Sequence, residues 1–447
     1  MLDQTFSAQN FRRIYDVENR RGRNVDRAFF PDLVDASARI TAASAAIRVA
    51  RRTNSTASPD ALNLIVQPLR ERLRLARENR EDLVEARMEE VAQAILSDYQ
   101  IQLESRIGPK GTALFTLPSD PRAYFIGKQI QRNISRLYKL QAGNRRAIIS
   151  QVYDALNNSF SHFCIRADVT AFYDNINRQT LISEIDSDQL LSHGSKRYIK
   201  QALSSYGSLA NSATGIPRGL GVSAFLSELY MRSIDEKIRQ LPRVIFYARY
   251  VDDMIIIFAR TAGDDTASYV DEISDILTEK HLTLNATKTR AGSTGPGLAF
   301  QFDYLGYHFS VSGGRCEVTI GSQKLARYRS RIDRAFAAYY RQAVYDQKGA
   351  ARLLSARIKF MTSNTRLINN KRHAYTGIYF NNSHLTSWAQ LNGLDAYLAH
   401  KVSLLQSAAL QDRIDEFSFV RGFIERRFAR YNTRTLATIV EAWRYEA

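Results

Sequence analysis

The apolar positions change period along the chain, and the changes divide it. Ser58-Pro59 reads as an N-cap followed by proline at the first helical position. Leu62, Ile65, Leu69 and Leu73 then recur near helical period, and the face beyond, Arg77 to Glu90, carries both signs of charge as a solvated helix does. Gly108-Pro109-Lys110-Gly111 interrupts this helical stretch. Gly143-Asn144 separates the short runs Tyr138–Leu140 and Ala147–Ile149, which predicts a hairpin carrying Arg145 and Arg146. Between 160 and 310, short β runs alternate with helical stretches. His162–Val169 reads as a strand, Leu181–Leu203 as helical, and Gly219–Ile238 as a helix after a Gly-Pro loop. Val244–Tyr250 and Met254–Ala259 read as paired strands, and Ala267–Lys280 as an amphipathic helix. From Ser322 onward the pattern is helical.

Two strands meeting at a tight turn point to an α+β fold and not to a doubly wound parallel sheet. A chain of 447 residues exceeds one ordinary core, so two or three packed units are expected. We place the boundaries to give a helical N-terminal extension over 1–121, a central α+β domain over 122–320 and a helical C-terminal region over 321–447. With 45% hydrophobic and 24% charged residues the balance is that of a globular protein. The net charge of +17 adds a partner to the picture: it is an electrostatic footprint for a polyanion, and nucleic acid leads. Anionic membrane is the rival, but no segment nears the ~18 apolar residues of a span, and no membrane partner is expected. The N-terminal MLDQTFSAQNFRR lacks an apolar signal core, which predicts a cytoplasmic protein. Cys164 and Cys316 show no metal-ligand spacing and are read as packing residues, and the seven histidines are scattered.

The candidate chemistry lies in the central domain. Tyr250-Val251-Asp252-Asp253 sits between two strand patterns, the second of them almost wholly apolar. Adjacent carboxylates at a hairpin tip repel one another unless a cation neutralises them, and hard divalent ions take oxygen ligands. A further acid, Asp168, ends the β run His162–Val169 and is followed by Phe172 and Tyr173. The intervening chain is long enough for helices that let the two strands bring these carboxylates to one sheet edge. Two-metal phosphoryl transfer requires such a cluster, with ions about 3.5–4 Å apart serving the attacking and the leaving oxygen.

Five segments in order resemble the polymerase motifs of reverse transcriptases. They are FCIRADVTAFYDNI (motif A), GIPRGLGVSAFLSELYM (B), YARYVDDMIIIF (C), LTLNATKTR (D) and FDYLGYHFS (E), and LYKLQAGNRRAII resembles the fingers. The resemblance covers about 125–345 and implies a right-hand polymerase, with fingers and palm in the central domain and a helical thumb after it. By residue, it implies that Asp168 and Asp252 bridge two Mg²⁺ ions, with Mn²⁺ as the alternative, that Asp253 supports them, and that Val169 offers a backbone carbonyl. Tyr173 takes the place of the aromatic under the sugar of the incoming nucleotide, where it disfavours a 2′-OH. Lys288 takes the place of the motif D lysine that donates a proton to departing pyrophosphate. Lys139, Arg145 and Arg146 are triphosphate candidates, with Arg146 preferred. Motif B departs from the family: Pro217-Arg218-Gly219 replaces Pro-Gln-Gly, and Gly221-Val222-Ser223 replaces Pro-Leu-Ser. Arg218 thus brings a fixed cation to the template or nucleotide, which puts ordinary templating in question. Lys324, Arg327 and Arg331 are candidates for holding nucleic-acid phosphates, and Arg352, Arg357, Lys359, Arg366, Lys371 and Arg372 extend the basic surface.

The ends, NFRRIYDVENRRGRN and FMTSNTRLINNKRHAYTGIYFNNSHLT, resemble bacterial defence-associated reverse transcriptases of the abortive-infection-like lineage, with type 3 systems nearest. That implies an antiphage role, a noncoding RNA as template, dNTPs as substrates, DNA as product and a second reverse transcriptase as partner, while an oligomer is left open by the sequence. Two alternatives stay open. One is untemplated or protein-primed DNA synthesis. The other is a catalytically silent RNA-binding scaffold, against which the intact Asp168, Asp252 and Asp253 argue, since clustered acids repel RNA.

Overall fold

The structure, a computed structural model, describes residues 2–108, 111–140, 143–261, 266–367 and 374–443. Lys110, Lys371 and Arg372 fall outside these. The α+β class is observed, and the chain forms two compact units that interleave in sequence: residues 1–140 with 177–229, and residues 141–176 with 230–447. They cut across the sequence-derived boundaries at 121/122 and 320/321.

The first unit is mainly helical. Ser7 caps the helix Ala8–Arg20 and Ser58 caps the helix Pro59–Leu96, each accepting a hydrogen bond from an otherwise unsatisfied N–H of the first turn. The long helix buries Val84, Met88, Val91 and Ile95, a stripe at intervals of three and four residues. The stripe read from Leu62 to Leu73 is only half-buried, and Ile65 is exposed. The helical stretch expected over Leu181–Leu203 is two helices, Arg178–Ser187 and His193–Ala210. They are separated where Asp188 accepts from the N–H of Leu190 and Ser192 caps the second helix.

This unit also holds a hairpin that the sequence pattern does not announce: β1 (Glu104–Ile107) pairs antiparallel with β2 (Ala113–Thr116) across the Gly108–Gly111 break. The hairpin expected between Tyr138 and Ile149 does not form. Tyr138 closes the helix Pro121–Leu137, and Asn144 opens the helix Arg145–Leu156 by accepting from the N–H groups of Arg146 and Ala147. Ile148, Ile149, Val152 and Leu156 are buried at helical spacing, so Asn144 acts as an N-cap instead of a turn residue.

The second unit carries the sheets. β3 (His162–Asp168), β4 (Val244–Tyr250), β5 (Asp253–Ala259) and β6 (Arg290–Thr294) form an antiparallel sheet in the order β4-β5-β3-β6. β7 (Ala299–Tyr304), β8 (Tyr307–Ser312) and β9 (Arg315–Ile320) form an antiparallel meander. β5 is buried on both faces, which explains its unbroken apolar run. On one face Cys164, Ile255 and Ile257 join a core with Phe302, Phe309 and Val318 of the meander and with the helix Ser322–Ala343. On the other, Phe258 stacks on Tyr269, with ring centroids 4.3 Å apart. A short pair, β10 (Asn364–Leu367) and β11 (Ala374–Gly377), interrupts the otherwise helical C-terminal region. Both cysteines are buried free thiols, as a packing role requires. No helix among the described residues is long and apolar enough to cross a membrane.

Candidate active site

Strand register creates the site. In the β3–β5 pair Asp168 lies directly opposite Asp253, and because side chains alternate in direction, Arg166 shares their face. Tyr250 pairs with Asp253, which leaves Val251 and Asp252 at the tip of a two-residue turn. The turn holds Val251 at φ 63°, a left-handed conformation that costs a β-branched residue on the order of 1–3 kcal/mol. Two contacts fix it. The Val169 N–H donates to the Asp252 carbonyl at 3.3 Å, and Arg249 Nη1 donates to the Val251 carbonyl at 2.8 Å.

Arg249 is itself clamped. Its side chain is 5% exposed, and its Nε and Nη2 donate to the two oxygens of Asp235, each at 2.8 Å. Tyr247 donates its hydroxyl to Asp235 at 2.7 Å. A planar bidentate pair of this kind holds orientation as well as charge.

Two cations answer the three acids. Arg166 Nη2 lies 2.7 Å from Asp253 Oδ1 and 3.8 Å from Asp168 Oδ1, so both carboxylates approach one nitrogen. Lys288 Nζ donates to Asp168 Oδ2 at 3.0 Å, and Arg166 Nη1 donates to the Lys288 carbonyl at 2.7 Å. The segment carrying Lys288 is tied to the end of β3, because the Asn285 N–H donates to the Asp168 carbonyl at 2.7 Å and the Thr170 N–H to the Thr283 carbonyl at 3.0 Å. Burial pushes the Asp253 carboxyl up to about 6. Arg166 opposes this, and Asp168 and Asp252 add to it. Burial, and then the charge of Asp168, also raises Asp252. The protein alone therefore leaves these acids short of positive charge.

Among the described residues no three His, Cys, Asp or Glu side chains converge tightly enough to hold an ion by themselves. Mg²⁺ characteristically takes one or two carboxylates and completes its shell with water and substrate phosphates. The donor chemistry fits: hard carboxylate oxygens, with the proton affinity of Asp252 and Asp253 raised by burial.

The other expected residues divide. Tyr173 follows Ala171, which turns the chain at φ 42°. Tyr173 is half-buried while its neighbour Phe172 is 2% exposed, so Phe172 is the core aromatic and Tyr173 is not. Arg146 is exposed and donates to Ser383 Oγ at 3.1 Å. Lys324 lies 4.9 Å from the ring centroid of Tyr307, which Arg145 also approaches, at 5.8 Å. Burial, then Arg145 and Arg327, pushes the Lys324 ammonium down to about 7. Arg327 is exposed. Arg331 packs 5.8 Å from the Trp443 ring and is half-buried, so it is less available to phosphate than its spacing suggested. Arg218 and Lys139 belong to the first unit. There the Phe115 N–H donates to the Arg218 carbonyl at 2.7 Å, Ser223 Oγ donates to the Pro217 carbonyl at 2.7 Å, and Gly219 turns at φ 95°, a conformation open mainly to glycine. Sequence reasoning missed Arg166, Arg249, Asp235 and Tyr304, whose hydroxyl donates to the Asp253 carbonyl at 3.3 Å.

The antiparallel sheet with its acids at the β3 end and the β4–β5 tip is a polymerase-type palm within an α+β fold. Residues 110–309 match the family model described as "Reverse transcriptase (RNA-dependent DNA polymerase)". The matched segment contains Asp168, Asp252 and Asp253. No curated protein matches the chain. Similar solved structures include apo telomerase from Candida tropicalis, with 13% identity, 77% of this chain and 63% of that one covered, and a TM-score of 0.41. Telomerase from Candida albicans, solved with a TWJ fragment of telomeric RNA, has 11% identity, coverage of 79% and 66%, and a TM-score of 0.36. The BmCPV RNA-dependent RNA polymerase at elongation state has 13% identity, coverage of 55% and 25%, and a TM-score of 0.30. The chain spans between a quarter and two thirds of the length of these structures, and likenesses this distant carry no argument about its chemistry.

Proposed function

We propose that the chain extends a primer 3′ end with dNTPs on an RNA template, using Asp168, Asp252 and Asp253 as the acidic centre. The observation that carries this reading is the direct opposition of Asp168 and Asp253 on neighbouring strands, with Asp252 at the adjoining tip, inside the matched segment. Asp168 and Asp252 would hold two Mg²⁺ ions, Val169 would add its carbonyl, and Asp253 would support them through Arg166. Bound there, the ions supply charge neutralisation for in-line attack of the primer 3′ oxygen on the α-phosphate. The chain's own part is to hold the carboxylates in place. Arg249 and Asp235 brace the turn, and Arg166 keeps Asp253 oriented. Lys288, whose side chain is 59% exposed and donates to Asp168, would serve as the proton donor to the departing pyrophosphate.

The finer reading is antiphage defence in the cytoplasm, with a noncoding RNA as template and a second reverse transcriptase as partner. It rests on the resemblance of the two chain ends to defence-associated enzymes. Arg218 and Arg146 are assigned to the nucleotide or template, and Lys324, Arg327 and, more weakly, Arg331 to nucleic-acid phosphates.

The reading is tested at the sugar. Tyr173→Ala should raise the efficiency of rNTP relative to dNTP incorporation by about tenfold, the equivalent of relieving a clash of about 1–3 kcal/mol. Tyr173→Phe should keep the discrimination, because the ring excludes the 2′-OH. An unchanged ratio in the alanine variant makes Tyr173 a packing residue and removes the motif A register on which the substrate assignment stands.

A second expected result concerns pH. A phosphate contact that needs the Lys324 cation is present below about 7 and lost above it. RNA affinity should therefore fall by about tenfold between pH 6 and pH 8.5, the loss of one charge-assisted contact. Lys324→Arg, charged throughout, should flatten this profile. An equally steep profile in the arginine variant would assign the pH dependence to other groups.

A further inference from the structure

The first unit contains a cavity of about 320 Å³ between the helices Ala8–Arg20 and Pro121–Leu137. Arg13, Arg21, Lys128, Arg132 and Arg136 line it, against a single carboxylate, Glu18. That carboxylate is already engaged: Lys128 Nζ lies 2.8 Å from it, Arg21 Nη1 3.0 Å and Arg23 Nε 3.4 Å, and Tyr124 donates its hydroxyl at 3.1 Å. Arg13 and Arg132 both donate to the neutral Asn10 Oδ1, at 3.3 and 2.9 Å. Arg136 is exposed and has no ion-pair partner among the described residues. Burial, followed by the charges of Arg13 and Arg136, holds the Arg132 guanidinium below its usual range. Like charges gathered around a concave space repel one another until an anion enters it.

We propose that this cavity binds a group of two or more consecutive phosphates, from a free nucleoside polyphosphate or from the 5′-polyphosphate end of a nucleic-acid strand. The cavity falls at the small end of ligand sites, which suits a compact polyphosphate. Arginine forks present paired donors to phosphate oxygens. Arg132 is already oriented through Asn10, and Arg13 and Arg136 line the cavity while exposed to solvent. The proposal is independent of the polymerase reading, since it uses only residues of the first unit.

The test is calorimetric titration of the full chain with sodium tripolyphosphate in buffer without divalent cations. Saturable binding is expected, weakened about tenfold or more in Arg13→Ala/Arg136→Ala, largely retained in Arg13→Lys/Arg136→Lys, and unaltered in Asp252→Asn. If the double alanine variant does not fold, Arg136→Glu alone serves, because Arg136 is exposed and makes no ion pair among the described residues. Competition then identifies the source. Displacement by GTP but not by a short 5′-triphosphorylated RNA points to a free nucleotide, and displacement by the triphosphorylated RNA but not by its 5′-hydroxyl counterpart points to a strand end. Absence of saturable binding, equal binding by wild type and the alanine variant, or equal displacement by the two RNAs would overturn the proposal.

Discussion

Asp252→Asn should bring dNTP incorporation down by a factor on the order of 10³ or more, about 4 kcal/mol of lost transition-state stabilisation, while RNA is retained as well as or better than by the wild type. The substitution keeps the size of the side chain at the hairpin tip and removes one negative charge. The turn geometry survives, because it depends on the Val169 N–H and the Arg249 guanidinium donating to the turn's carbonyls and not on the Asp252 carboxylate. Asp252 is raised by burial and by Asp168, so its ionised form is held at a cost that only an incoming cation repays. Asparagine avoids that cost and also loses the charge an ion needs. The measurement is single-nucleotide primer extension beside filter binding of labelled RNA. Undiminished extension would sink the two-metal assignment, and lost RNA binding would mean that Asp252 is structural.

Asp235→Ala should destabilise the second unit by about 3–5 kcal/mol, because it removes the carboxylate that accepts from both Nε and Nη2 of the buried Arg249 guanidinium. Arg249 gives three of its donor atoms to Asp235 and to the Val251 carbonyl, so the loss should also loosen the tip that carries Asp252. Asp235→Asn retains an acceptor for Tyr247 and for one arginine donor and should cost less. Denaturant unfolding of the full chain, read against single-nucleotide extension, separates the two effects. Destabilisation below about 1 kcal/mol with full activity in the alanine variant would remove Asp235 and Arg249 from the account.

The strands that carry the three acids were legible because burial writes itself into them. β5 is apolar on both faces, and the acids appear where the apolar runs stop, so Asp168, Asp252 and Asp253 could be placed before any coordinates. Arg166 was missed although alternation puts it on the face of Asp168 on β3, because a lone arginine in a strand does not announce its partner. Asp235, Arg249 and Tyr304 were not legible, since their roles come from tertiary approach between segments that share no local pattern. Asn144 was misread because asparagine serves turns and N-caps alike, and only the burial of Ile148, Ile149, Val152 and Leu156 decides between them. The β1–β2 hairpin escaped because β1 is exposed along its whole length and so lacks the period-two signal. The interleaved units were hidden for the same reason as the clamp: contacts distant in sequence define them.

The central claim is that RNA directs the DNA this chain makes. The most direct measurement supplies purified protein with a DNA primer annealed to RNA templates of several defined sequences, then sequences the extension products. The account predicts products complementary to each RNA, none without template, and none from Asp252→Asn. Products of one fixed sequence whatever RNA is present, or equal synthesis when RNA is omitted, would contradict it and would place the sequence information in the protein itself.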